Sequence, residues 1–193
     1  MYRAEPDPYC YPGSSILKNK AGLIGEVELE EFESAMTFAR ANEPLPSGRL
    51  SVSHYRAVHH HFFQDVYIWA GKYRTVRLTK GESTFCYPEH IAQEMQKLFS
   101  WLKAEQFLKQ QSPSAFAEGA AHFISELNAI HPFREGNGRT QFTFLALLSE
   151  HGGHPLDLDR LDADAALDAM IRSFNGDETA LRALIEGMIA QRE

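Results

Sequence analysis

The chain has 193 residues, a formal net charge of −7 and 44% hydrophobic residues. That length suits one domain able to bury roughly 70% of its unfolded surface, and the acidic balance excludes broad binding to nucleic acid backbones, which takes a basic footprint. Cys10 and Cys86 lie far apart and read as free thiols of a reducing compartment, a disulfide being the alternative.

In chain order, residues 1–12 are largely polar, carry Pro6, Pro8 and Pro12, and lack the apolar stretch of a secretory signal. No run of about 18 apolar residues follows, so no membrane span is expected. Leu29, Phe32, Ala35, Met36 and Ala39 recur at helical spacing and predict a helix over 28–41. Asn42-Glu43-Pro44 and Pro46-Ser47-Gly48 end it. Ser51 or Ser53 is placed to cap a second helix with Tyr55, Val58, Phe62 and Phe63 inward. Thr75, Arg77 and Thr79 alternate with Val76 and Leu78, and turn residues follow at Lys80-Gly81-Glu82-Ser83. This predicts a β-hairpin over about 74–87. Pro88 starts a helix through Met95, Leu98, Phe99 and Leu102. Further helices are expected over 112–128 and 139–150, and two more over 162–191, split at Asn175-Gly176. The pattern is that of an all-α helical bundle with one small hairpin.

Chemistry concentrates in His131-Pro132-Phe133-Arg134-Glu135-Gly136-Asn137-Gly138-Arg139, between two helical segments. Gly136, Asn137 and Gly138 stand where a helix begins, and free N–H groups with the helix dipole favour an anion there. Asn137 can donate from its amide, and Arg139 can grip a phosphate with its fork. Glu135 is a hard oxygen ligand suited to Mg²⁺. His131 has a reference pKa near working pH, as a base for an attacking hydroxyl requires. Phe133 reads as an apolar anchor for the loop.

This segment resembles the signature of the Fic family, His-x-Phe-x-(Asp/Glu)-Gly-Asn-Gly-Arg-x-x-Arg, through its first nine positions. Residues 11–20, 63–74 and 85–88 are similar to Fic toxins inhibited by a separate small antitoxin. The resemblance implies the Fic fold over a single domain, 1–193. Its core would span about 51–155, with an N-terminal extension 1–50 and C-terminal helices 156–193. It implies transfer of AMP from ATP, with Mg²⁺, to a hydroxyl of a target protein. His131 is then the base, Glu135 the metal ligand, Gly136, Asn137 and Gly138 the anion-binding turn, and Arg139 the first phosphate-binding arginine. Thr75, Val76, Arg77, Leu78, Thr79, Lys80, Gly81 and Phe85 belong to a flap beside the active loop that holds the target by strand addition. The implied partners are a target protein, with type II topoisomerase subunits as candidates, and a small antitoxin bearing an inhibitory glutamate helix. No direct nucleic acid or membrane partner is implied. The implied location is the bacterial cytoplasm, or a host cell if the chain belongs to a secreted effector.

One position departs from the pattern: Phe142 stands where the family has its second arginine. Transfer of UMP, phosphocholine or phosphate therefore stays open, as does a weakened pseudo-Fic that only binds. The inhibitory pattern Ser/Thr-x-x-x-Glu-Gly/Asn is matched by Ser114 to Gly119, inside a core helix, and reads as coincidence. His59-His60-His61 reads as surface or partly buried, because adjacent helical residues point about 100° apart and cannot share one metal. Lys72, Arg74 and Arg77 read as a solvated strip. Asp157, Asp159, Asp162, Asp164 and Asp168 read as helix caps and solvation, without the glycine and final Glu of a calcium loop.

Overall fold

The computed structural model describes residues 7–80 and 83–190. Seven helices carry these residues: α1 (Glu26–Ala41), α2 (Val52–Phe63), α3 (Pro88–Ala104), α4 (Pro113–Ile130), α5 (Asn137–Gly152), α6 (Ala163–Phe174) and α7 (Thr179–Met188). Their ends follow local chemistry. The hydroxyls of Ser51 and Ser112 and the carboxylate of Asp162 accept N–H groups at the starts of α2, α4 and α6. Pro88 and Pro113 occupy first turns, where a missing N–H costs nothing. Gly153 ends α5 in the left-handed region at φ 84°. No helix among the described residues is long and apolar enough to cross a membrane.

α4 is the central helix. Phe116, Ala120, Phe123, Ile124 and Leu127 are fully buried along it, and it touches α3, α5, α6 and α7. Ser114 and Glu118 both face Arg182 of α7, at 2.9 and 3.1 Å. The Ser114–Gly119 pattern is thus part of α4–α7 packing.

The hairpin expected over 74–87 shrinks to a two-residue antiparallel ladder, β1 (Thr79–Lys80) against β2 (Ser83–Thr84). The rest of the segment finds other partners. The Arg74 N–H donates to Pro132 O (2.9 Å), that of Thr75 to the Tyr9 hydroxyl (3.1 Å), and that of Cys86 to Ala129 O (3.0 Å). Backbone groups satisfied by the helix ends and the N-terminal segment have no need of a longer ladder. Gly81 of the expected flap lies outside the described residues. Cys10 and Cys86 are free thiols.

Candidate active site

α4 ends at His131, whose backbone turns left-handed (φ 47°, ψ 63°), and Pro132 prevents the helix from resuming. A left-handed histidine is a strained conformation of the kind that surrounding structure must enforce. The next five residues fold into a tight loop closed by Asn137. Its amide oxygen accepts from the Phe133 N–H (3.0 Å), and its amide nitrogen donates to Phe133 O (2.9 Å). One of the two N–H donors of the amide expected to meet phosphate is therefore spent on the loop itself. Phe133 is fully buried and stacks on the His59 ring at 3.7 Å between centroids. Gly136 sits at φ 78°, and a Cβ there would fall 2.2 Å from the Phe63 ring. Only glycine fits both constraints.

His59 corrects the reading of the histidine run, since it is wholly buried. Gly71 N–H donates to its Nδ1 (2.8 Å), so the proton sits on Nε2, which reaches Glu135 O at 3.0 Å. Burial, foremost, pulls its pKa down to about 3, and the positive charge of Arg139 adds to the effect. His61 is also buried and bonds to Arg40 O at 2.8 Å, whereas His60 is exposed. Arg74 corrects the solvated strip. It is 2% exposed and donates to the carbonyls of His131 (2.8 Å), Val76 (2.6 Å), Cys86 (2.6 Å) and Ile130 (3.2 Å). Arg77 lies over the Tyr87 ring at 4.4 Å.

The His131 ring stacks on Phe85, 3.9 Å between centroids and 17° between planes. Phe85 is buried, so its ring forms a platform for the histidine. A cavity of about 610 Å³ opens beside them. His131, Arg134, Glu135, Gly138, Gln141 and Phe142 line it, together with Leu78, Thr79 and residues of α6. The first intrahelical bond of α5 is donated by Thr140 to Gly136 O (3.2 Å). The preceding N–H groups of Asn137, Gly138 and Arg139 thus form a helix N-terminus at the cavity. A Cβ at Gly138 would meet nothing within 4 Å.

Glu135 is exposed and accepts the Gly136 N–H at 2.9 Å. Among the described residues no three His, Cys, Asp or Glu side chains gather as a metal cage. One exposed carboxylate on the cavity wall fits Mg²⁺, which takes one or two carboxylates and completes its shell with phosphate and water. Arg139 lies against α1, outside the cavity lining. It pairs with Glu33, donates to Thr37 Oγ1 (3.1 Å) and covers the Phe63 ring at 4.6 Å. Phe142 is half-buried, packed on the core and part of the cavity wall. Arg134 also lines the cavity and pairs with Asp7 at 2.9 Å. Arg74, His59 and Glu33 were invisible as site residues in the sequence, because each acts through contacts with segments distant in the chain.

A helical bundle with this loop at the head of a buried helix defines a protein class, and residues 49–149 match the family model described as Fic/DOC family. The chain belongs to that family. It is 53% identical over 189 residues to the probable protein adenylyltransferase y4lH of Sinorhizobium fredii, covering 97% of this chain and 98% of that protein. It is 35% identical to the protein adenylyltransferase VbhT of Bartonella schoenbuchensis, covering 95% of this chain but 39% of VbhT. The fold superposes with a TM-score of 0.85 on BepC of Bartonella tribocorum with bound AMPPNP, at 26% identity, covering 96% and 97% of the two chains.

Proposed function

We propose that this chain is a protein adenylyltransferase that moves AMP from ATP to a hydroxyl side chain of a target protein. The observation that carries the reading is the placement of His131 on the Phe85 platform, beside a cavity that holds both the α5 N-terminus and the Glu135 carboxylate. The N–H groups of Asn137, Gly138 and Arg139 receive the α-phosphate, whose charge the helix end favours. His131 takes the proton of the target hydroxyl as its oxygen bonds to the α-phosphorus. The bond from that phosphorus to the pyrophosphate oxygen breaks in line, and pyrophosphate leaves. Positioning and fixed dipoles provide most of the acceleration. Glu135 would hold Mg²⁺, which would supply neutralisation of phosphate charge. Arg139 meets phosphate by exchanging Glu33 for it.

Residues 75–80 dock the target as an added strand. Type II topoisomerase subunits are the candidate targets, and a small antitoxin with a glutamate helix the candidate restraint. Exposed Ile24, Val27 and Phe38, on and before α1, offer apolar surface for such a partner. The site of action is the bacterial cytoplasm, or a host cell for a secreted effector.

Phe142 favours a second reading, a catalytically weakened relative, because a preorganised charge contact of this kind is worth roughly 10²–10³ in rate. The test is incubation with α- or γ-labelled ATP, Mg²⁺ and bacterial lysate. A target band with the α label only, absent with His131→Ala, supports AMP transfer. A band with the γ label instead means phosphate transfer. No band in the wild type, with one restored by Phe142→Arg, transfers the lead to the weakened relative.

A further inference from the structure

Gln141 is 1% exposed and lines the catalytic cavity. Its amide nitrogen is buried with no hydrogen-bond partner among the described residues. A buried donor left unpaired forfeits its hydration with nothing in return, and such groups in a folded protein call for a reason. Tyr55 Oη and Trp69 Nε1 are likewise buried without a hydrogen-bond partner among the described residues, but neither residue lines this cavity.

Its place on α5 says what it serves. Gln141 lies four residues after Asn137 and three after Gly138, so it shares their helix face. Side chains on a helix lean toward its N-terminus, which carries this amide back toward the turn that receives phosphate. The neighbouring position, Phe142, presents an aromatic ring to the same cavity. Arg139 is held on α1 by Glu33, and Arg134 by Asp7. Gln141 is thus a neutral donor with no partner on the wall just beyond the helix end.

We propose that Gln141 is a phosphate-binding residue of the nucleotide site. It turns its NH₂ into the cavity and donates to a non-bridging oxygen of the pyrophosphate portion of ATP. This assignment rests on the adenylyltransferase reading above. The group is neutral, so it binds phosphate without the charge an arginine would bring, and its donors strengthen as charge grows on the departing pyrophosphate. Without nucleotide the amide is a local defect, so an apolar residue of similar size leaves the fold no weaker.

The test uses Gln141→Leu and Gln141→Met in the full chain, with melting temperature and calorimetric titration of ATP and of AMP. The expected result is a 10- to 100-fold loss of ATP affinity in both variants, the worth of a hydrogen bond to a charged group. AMP affinity should stay unchanged, and the melting temperature should equal or exceed the wild-type value. Wild-type ATP affinity in both variants overturns the assignment and leaves the transferase reading standing. A fall of several degrees in both melting temperatures also overturns it, because the amide then holds the fold. A wild-type chain that neither binds ATP nor transfers AMP sinks the transferase reading itself, and this assignment with it.

Discussion

At the scale of single residues, Gly136 and Gly138 stand two positions apart and should respond in opposite ways to one added methyl. At Gly136 the methyl meets the Phe63 ring at 2.2 Å and the backbone is left-handed. Strain and overpacking together should cost about 2–5 kcal/mol, so Gly136→Ala lowers the melting temperature sharply. At Gly138 the methyl enters open space beside the α5 N-terminus, where alanine is the better helix former by up to about 1 kcal/mol. Gly138→Ala should therefore melt no lower than the wild type. It should lose ATP affinity, because the methyl stands where the proposed function brings phosphate to the backbone. Thermal melts and nucleotide titrations on the pair separate the two roles. Equal melting temperatures for the two variants would contradict the geometry.

At the scale of elements, one side chain joins residues 75–86 to the loop after α4. Arg74 bonds carbonyls at Ile130 and His131 on one side and at Val76 and Cys86 on the other. Arg74→Met keeps the stem and removes every donor, so residues 75–86 should lose hydrogen-exchange protection while the α4 interior keeps its own. AMP transfer should fall with it, as Phe85 no longer supports His131. Unchanged exchange across 75–86 would show that the ladder holds without the arginine. The contrast with the helices explains what sequence could reveal. Ser51, Ser112, Asp162, Pro88 and Gly153 act within a few residues of their positions, so the helix ends were legible from neighbours alone. The motif loop was legible for the same reason, its residues being contiguous. Arg74 looked like a surface cation because its carbonyl partners lie up to 57 residues away. The long hairpin failed because the backbone of 74–86 found partners on α4, the loop after it and the N-terminal segment. Asn137 makes a local contact that the spacing did not reveal: its short side chain reaches back to Phe133.

At the scale of the whole molecule, His59 makes stability depend on pH. It ties α2 to the turn at Gly71 and to the carbonyl of Glu135, and it does so only as the neutral ring, with Nδ1 accepting and Nε2 donating. Its folded pKa of about 3 lies far below the ordinary value of 6.5. Between those limits the unfolded chain takes up a proton that the folded chain refuses. The stability this group contributes is thus complete above about pH 6.5 and is lost as pH falls toward 3. From pH 7 to pH 5 the loss from this one residue should be about 2 kcal/mol. His59→Gln offers the same pairing, an oxygen for Gly71 and an NH₂ for Glu135, without a titrating group. It should melt lower than the wild type at pH 7, because it gives up the ring stacked on Phe133 and Phe63. Its melting temperature should nonetheless decline less between pH 7 and pH 5. The comparison of slopes isolates His59, because every other histidine is common to both proteins. Parallel declines would mean that the buried ring accepts a proton in place, and that the catalytic loop is held by something other than the neutral imidazole.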